Sequence, residues 1–224
     1  MAARCLAEFS AARAPLQLHA RARMALQWWL AHLRHSPPRV VRIGGFGDHV
    51  TIFTDGACEP GQVSVGAVLF DPRDGAILYF GLVVPDWVAK AWGRGVGGDE
   101  QIIGQAELSP ILLAKRVWRK RLEGRAAAYY VDNNSAREAL IRGYSPLAAS
   151  ARIVAECWLS DARAAASPWY DRVPGPSNIA DGPSRLSFAA VVALGGQRQP
   201  VDLRSGWDWA VSADAGLSNP FAPA

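Results

Sequence analysis

The stretch Val50-Thr51-Ile52-Phe53-Thr54-Asp55-Gly56-Ala57 decides the fold prediction. Val50, Ile52 and Phe53 belong to an apolar, β-branched run that is typical of a buried strand. The run ends at Asp55 followed by Gly56, and such a pair is usually a turn, because Asp accepts local N–H groups and Gly adopts positive φ. The alternative is that a central strand delivers a carboxylate to a site. That alternative needs further carboxylates at the same place.

The elements around this stretch predict an α/β fold. Apolar runs separated by short turns at 63–70 and 76–84 indicate an antiparallel meander with the first strand. Residues 102–122 have helical periodicity, and further strands are predicted at 126–131 and 169–173. The order β-β-β-α-β-α-α-β-α gives a five-stranded mixed sheet, with three antiparallel strands and then parallel strands, flanked by helices.

Finer features complete this prediction. Ser135 is expected to cap a helix that ends at Arg142, with Glu138 completing a capping box. A long Ala-rich helix is expected at 147–165. Residues 87–98 are expected to form a loop, because they are rich in Trp, Gly and basic residues. Residues 93–98 match GxGxxG, but this match does not indicate dinucleotide binding, since it does not follow a strand directly.

Four predicted elements each carry an acidic residue at a position that matters. Asp55 and Asp132 follow the first and fourth strands, Glu107 lies on the helix at 102–122, and Asp181 lies on the last helix. If the first and fourth strands are parallel neighbours, Asp55 and Asp132 leave the sheet at the same edge. Glu107 lies on the core-facing side of its helix, where an unpaired carboxylate is costly. Crowded carboxylates repel one another unless they bind hard divalent cations, and such sites carry out in-line phosphoryl displacement.

Four short motifs resemble the ribonuclease H domain of retroelement reverse transcriptases, in order and over residues 48–190. They are Phe53-Thr54-Asp55-Gly56-Ala57, Gln105-Ala106-Glu107-Leu108, Tyr130-Val131-Asp132-Asn133 and Asn178-Ile179-Ala180-Asp181-Gly182-Pro183-Ser184-Arg185-Leu186. Upstream, Leu26-Gln27-Trp28-Trp29-Leu30 and residues 37–43 are similar to the segment that joins polymerase to ribonuclease H in retrotransposons, particularly the tyrosine-recombinase type. The expected domains are a connection-like helical segment at 1–47, the ribonuclease H-like domain at 48–190 and an extended or disordered tail at 191–224.

The resemblance implies an activity and a set of residues. Asp55, Glu107, Asp132 and Asp181 would bind two Mg²⁺ ions, or Mn²⁺, with Asp55 bridging, and the reaction would be cleavage of the RNA strand of an RNA–DNA hybrid. RNA would be distinguished by its 2′-hydroxyl. Gly56 would leave room for the phosphate, and Asn133, Asn178 and Ser184 would support the ligands. Expected phosphate contacts are Arg94, Lys115, Arg116, Arg119, Lys120, Arg142 and Arg185.

Two departures keep other functions open. Residues 170–179 lack the histidine that many family members carry before the final Asp, and Asn178 is the nearest polar residue. The chain has no polymerase domain, which would be the expected partner in a parent polyprotein. The alternatives are a catalytically silent ribonuclease H-like module that binds nucleic acid or protein, and another two-metal nuclease of the same fold.

Composition narrows the class of protein. The 224 residues carry a formal net charge of +4, chiefly from Arg, which gives modest support for a nucleic-acid partner. Three cysteines without metal-binding spacing favour a reducing compartment, cytoplasm or nucleus, and no run is long enough to predict a membrane span. The first 35 residues are rich in Ala and Arg, so organelle targeting also stays open.

Overall fold

The computed structural model describes residues 48–93, 102–202 and 207, together with positions 23, 26, 27, 29, 30 and 34. The chain divides into two compact units, one formed by Met1–Arg39 with Ala213–Ala224 and the other by Val40–Ser212. In the first unit the six described positions are helical. The connection-like resemblance at 37–43 and the prediction for Arg94 lie outside the described residues. The proposed division at 48 and 190 therefore stays a prediction.

The second unit is built on a mixed sheet with the order β5-β4-β1-β2-β3-β6. The strands β1, β2 and β3 pair antiparallel, whereas β1 with β4, β4 with β5 and β3 with β6 pair parallel. This is the predicted fold class. Their bounds are Val50–Glu59 (β1), Gln62–Asp71 (β2), Ala76–Val83 (β3), Ala126–Val131 (β4), Ser167–Arg172 (β5) and Gln197–Arg198 (β6).

The sixth strand corrects the predicted count of five. Gln197 and Arg198 pair with Leu78 and Tyr79 on the free edge of β3. The start of the predicted tail is therefore partly ordered, since β6 lies within it and Trp207 is fully buried against the ring of Trp92. Short strands of this kind carry no alternating pattern that a sequence could reveal.

Helices cover both faces of the sheet. Their bounds are Asp86–Gly93 (α1), Ile103–Val117 (α2), Arg119–Leu122 (α3), Asn134–Arg142 (α4), Ala148–Ala164 (α5), Asp181–Ser184 (α6) and Ala189–Ala193 (α7), with a 3-10 turn at Gly175–Ser177. The predicted loop at 87–98 is wrong for its first half, because α1 forms there and buries Val88 and Trp92. The single helix predicted at 102–122 is divided at Trp118, whose φ and ψ are −103° and 20°.

The main hydrophobic core lies between one sheet face and the helices α2, α4 and α5. It contains Ile52, Leu69, Leu112, Tyr129 and Leu140, all essentially inaccessible to water. A smaller cluster on the opposite face joins the sheet to the segment that carries α6 and α7, through Val68, Tyr79, Ala180 and Val191. This second cluster places the residues after β5 against the centre of the sheet.

In the part of the chain that the structure describes, no helix combines the length and the apolar character that crossing a bilayer requires.

Candidate active site

Asp55 lies where the sheet opens, not at the end of its strand. The parallel pairing of β1 with β4 stops at Thr54 and Val131, and Asp132 follows directly. The antiparallel pairing of β1 with β2 continues to Glu59. The prediction that the first strand ends on Asp55 is therefore wrong, because β2 holds β1 beyond the point where β4 ends. Asp55 and Asp132 still emerge side by side, as the parallel pairing predicts.

Three of the four predicted acids meet at this opening. Asp55, Glu107 and Asp132 each offer a carboxylate oxygen, and these oxygens lie within 4.8 Å of one another. Asp55 and Glu107 are only 5% and 6% exposed. Glu107 reaches the group from the first turns of α2, whose residues from Gln105 to Lys115 are all buried.

The crowding changes the acidity of two of these groups. Burial, reinforced by the charges of Asp132 and Asp181, raises the pKa of Asp55 to about 6, although a hydrogen bond from Ser184 opposes this. Burial and the neighbouring charges of Asp55 and Asp132 raise the pKa of Glu107 to about 9. Without a cation, the site therefore keeps a proton on Glu107 at neutral pH.

Two oxygens of the group lack a hydrogen-bond partner. Glu107 Oε2 and Asp132 Oδ1 are shielded from solvent and accept no hydrogen bond from the described residues. Buried polar atoms in proteins are nearly always paired, so two such oxygens in one carboxylate group are consistent with a group that could bind a cation. A hard divalent cation with oxygen ligands fits this donor set.

Asp181 stands apart from the three clustered acids. Its carboxylate is half exposed, and Oδ1 accepts a hydrogen bond of 3.0 Å from Arg185 Nε. It nevertheless lies close enough for its charge to raise the pKa of Asp55. The structure therefore places Asp181 at the rim of the site and pairs it with a basic side chain.

Two of the predicted supporting residues tie the segment after β5 to β1. Ser184 Oγ lies 2.5 Å from Asp55 Oδ2, and it is fully buried. Asn178 Nδ2 donates to the carbonyl oxygen of Thr54 across 3.1 Å, and its Oδ1 accepts from the backbone N–H of Ala180. Both side chains hold the position of Asp55 relative to α6.

Asn133 begins α4 and also contacts the acid group. Its Oδ1 accepts from the backbone N–H of Ala136 across 3.0 Å, so Asn133, and not the predicted Ser135, is the N-cap. A hydrogen bond from the Asn133 side chain also favours the charged form of Glu107. An Asn can do both because its amide carries an acceptor and a donor.

Glycines let the helices approach the sheet. A Cβ on Gly56 would lie 2.3 Å from the carbonyl oxygen of Ala106, so the packing of α2 already requires glycine at this position. That Gly56 also leaves room for a phosphate stays a prediction. Gly66 and Gly81 pair with each other beside Asp55, and a Cβ on either would overlap the backbone of Pro183 or Ser184. Sequence reasoning missed both. Two glycines at paired strand positions were the available signal.

The predicted basic surface is only partly present. Lys115 is wrong as a phosphate contact, because its side chain is 1% exposed and its Nζ lies 2.5 Å from Asp161 Oδ1. Arg116 pairs with Glu156 at 3.2 Å, and Arg142 pairs with Glu138 at 3.0 Å. Arg119, Lys120, Arg142 and Arg185 are exposed.

No protein-family model and no curated protein matches the sequence. The structure is similar to the solved structure of the N-terminal RNase H domain of a Mycobacterium tuberculosis protein, as a fusion protein with maltose-binding protein. The identity is 16% and the TM-score 0.48, covering 66% of this chain and 99% of that one.

Two further solved structures are similar to a comparable degree. RNase H1 from the halophilic archaeon Halobacterium salinarum has 18% identity and a TM-score of 0.46, covering 63% of this chain and 98% of its own. LC11-RNase H1 in complex with an RNA/DNA hybrid has 11% identity and a TM-score of 0.44, covering 64% and 99%.

Proposed function

We propose that this chain is a divalent-metal-dependent nuclease of the ribonuclease H type, which hydrolyses the RNA strand of RNA–DNA hybrids. The observation that carries the proposal is the buried carboxylate group with two oxygens, Glu107 Oε2 and Asp132 Oδ1, that have no partner among the described residues. A purely structural acid at either position would be expected to find a hydrogen-bond donor.

Each residue of the site then has a task. Asp55, Glu107 and Asp132 would hold the cations, two Mg²⁺ ions or Mn²⁺ in their place, and Asp181 would complete the set from α6. When bound, such ions supply a nucleophilic water at neutral pH and stabilise the leaving oxygen. Glu107 must release its proton before its carboxylate can act as a ligand.

Substrate contacts belong to side chains around this group. The exposed cations Arg119, Lys120, Arg142 and Arg185 remain candidates for the phosphate backbone, with Arg116 and Arg94 as further candidates. Selection of RNA would depend on the 2′-hydroxyl in the minor groove. The order of the four sequence motifs supports an origin in a retrotransposon reverse transcriptase, in which a polymerase domain would be the natural partner.

A cleavage assay tests the proposal. Wild-type protein and the variants Asp132→Asn and Glu123→Gln are incubated with Mg²⁺ and an end-labelled RNA–DNA hybrid, RNA duplex or DNA duplex. Glu123 is an exposed acid just before β4, at the opposite end of that strand from Asp132. We expect cleavage of the RNA strand of the hybrid by wild type and Glu123→Gln, and a loss of about a hundredfold or more in Asp132→Asn.

Other outcomes identify the alternatives. Folded wild-type protein that cleaves nothing, and whose melting temperature does not respond to Mg²⁺, would indicate the silent binding module. Cleavage of DNA duplexes at a comparable rate would indicate another two-metal nuclease of this fold. Equal activity in Asp132→Asn and wild type would contradict the assigned site.

A further inference from the structure

The rim of the carboxylate site carries a cation of its own. Arg185 Nε donates to Asp181 Oδ1 across 3.0 Å, and Arg185 Nη1 donates to Glu59 Oε1 across 3.2 Å. The guanidinium also interacts through its charge with the carboxylate of Asp55. Arg185 therefore joins α6 to the far end of β1, within the electrostatic range of Asp55.

This bridge is formed by half-exposed side chains. The exposed fractions are 53% for Arg185, 51% for Asp181 and 55% for Glu59. Ion pairs at such positions contribute little stability, because water competes for both partners. The bridge is therefore sufficient to orient Asp181 when no stronger cation is near, and weak enough to be exchanged.

The geometry points to Arg185 as an internal counter-ion, which occupies Asp181 in the metal-free protein and competes with a divalent cation for that carboxylate. This inference rests on the proposed function, since it concerns the fourth acid of the same site. Glu59 provides a second carboxylate on which the guanidinium remains when Asp181 changes partner. Glu59 lies 126 positions from Arg185 in the sequence, so no local pattern predicts this contact.

The effect of removing the Arg185 charge on the binding of divalent cations distinguishes three possible roles of this residue. If Arg185 competes for Asp181, removing its charge strengthens the binding of divalent cations. If Arg185 only contacts nucleic-acid phosphate, its removal leaves cation binding unchanged and weakens substrate binding. If it merely supports the fold, its removal disturbs the site and weakens cation binding. The direction of the change therefore separates the three roles.

The test is a titration of the protein with MgCl₂ or MnCl₂ in the absence of nucleic acid. Cation binding is measured by calorimetry and by the change in melting temperature. We expect Arg185→Gln to lower the half-saturating cation concentration by about two- to fivefold, as suits the loss of an exposed ion pair. Arg185→Lys keeps a cation four residues from Asp181 and is expected to stay close to wild type. Arg163→Gln removes an exposed Arg at the end of α5 and is the matched control.

A double variant separates competition from general electrostatics. In an Asp181→Asn background the carboxylate that Arg185 occupies is gone, so adding Arg185→Gln is expected to change cation binding no further. A persisting effect in that background would overturn the inference, as would unchanged or weaker binding in Arg185→Gln alone. Melting in EDTA checks that each variant is folded.

Failure of the inference and failure of the proposed function look different. If wild type binds divalent cations and Asp132→Asn does not, but Arg185→Gln behaves as wild type, only the counter-ion role is overturned. If neither wild type nor Asp132→Asn binds a divalent cation, the metal site itself is overturned, and the counter-ion role with it.

Discussion

Lys115 is held inside the protein by an ion pair and two aromatic rings. Its Nζ pairs with Asp161 and lies 4.1 Å from the centre of the Tyr129 ring and 5.4 Å from that of Tyr170. Replacing Lys115 with Ala would remove the cation that lies 2.5 Å from the buried carboxylate of Asp161. We expect a loss of about 3–5 kcal/mol in the free energy of unfolding, measured with urea.

The matched control for this prediction lies nearby in the sequence. Lys120 is exposed on α3, so Lys120→Ala should change the free energy of unfolding by no more than about 0.5 kcal/mol. Similar losses in both variants would contradict the assignment of Lys115 to the interior. A loss below about 1 kcal/mol in Lys115→Ala would show that the ion pair with Lys115 contributes little to the stability of the fold.

The roles of some single residues could be predicted from the sequence, and those of others could not. Asp55, Glu107 and Asp132 were predictable, because each acid interrupts an apolar pattern at a place where the chemistry needs a carboxylate. Lys115 was not, because its helix is buried on nearly all sides and a projection that assumes one solvent face fails there. The pairing of Arg185 with Glu59 joins residues 126 positions apart, and no local pattern indicates it.

At the scale of elements, α2 packs unusually close to β1. A methyl group on Gly56 would lie 2.3 Å from a carbonyl oxygen and 2.8 Å from the N–H nitrogen of Glu107. Because both obstacles are backbone, Gly56→Ala must push α2 away and displace the carboxylate of Glu107. We expect a loss of about 1–3 kcal/mol in stability together with weaker divalent-cation binding.

Gly104 offers the comparison within α2 itself. A Cβ there would meet only Ser150 Oγ, at 3.9 Å, which is ordinary contact. Gly104→Ala should therefore stabilise the helix, by about 0.5–1 kcal/mol, and leave cation binding intact. Thermal melts and cation titrations of the two variants check both expectations, and equal behaviour would refute the close-packing argument for Gly56.

The elements themselves were predictable where a periodic pattern was long. β4 was predicted with its observed bounds, β2, β3 and α5 were predicted to within one residue at each end, and α4 to within two. The end of β1 was misjudged, because a carboxylate and a glycine resemble a turn, whereas pairing with β2 keeps the strand extended to Glu59. The first turns of α1 were missed because their Trp and Gly content suggested a loop.

For the molecule as a whole, the site depends on the parallel pairing of β1 with β4, which brings Asp55 and Asp132 together. The helices between the third and fourth strands indicate the direction of β4, because a helical crossover joins parallel strands, but the place of β4 beside β1 was a premise of the prediction. The close approach of α6 to the sheet could not be predicted from the sequence. It depends on glycines in two strands and on a buried serine, which act only once the tertiary fold exists.

Charge also makes the stability of the whole molecule depend on pH, with opposite signs at two ends of the sheet. Asp71 accepts hydrogen bonds from Arg125 and Arg121, which hold the pKa of that carboxyl far below its usual value. Its contribution to stability is present above the unfolded pKa of 3.8 and is lost as the pH falls below it. Wild type should therefore gain stability as the pH rises through 3.8, and Asp71→Asn should lack this gain when the melting temperature is measured across that range.

The carboxylate site acts in the other direction. The folded pKa values of Asp55 and Glu107, about 6 and about 9, exceed the unfolded values of 3.8 and 4.5. The folded state therefore binds more protons than the unfolded state between those values, and stability falls as the pH rises through that window. In EDTA we expect the melting temperature to be highest near pH 4, to decline toward about pH 9, and to decline less in Glu107→Gln.

Divalent cations should reverse this decline, because they stabilise the ionised carboxylates that burial disfavours. The measurement is the melting temperature across the same pH range with Mg²⁺ or Mn²⁺ in place of EDTA. The increase in melting temperature caused by the cation should grow with pH in wild type, and it should be smaller in Asp132→Asn than in wild type. An increment independent of pH, or one that survives in Asp132→Asn, would show that the cations bind elsewhere.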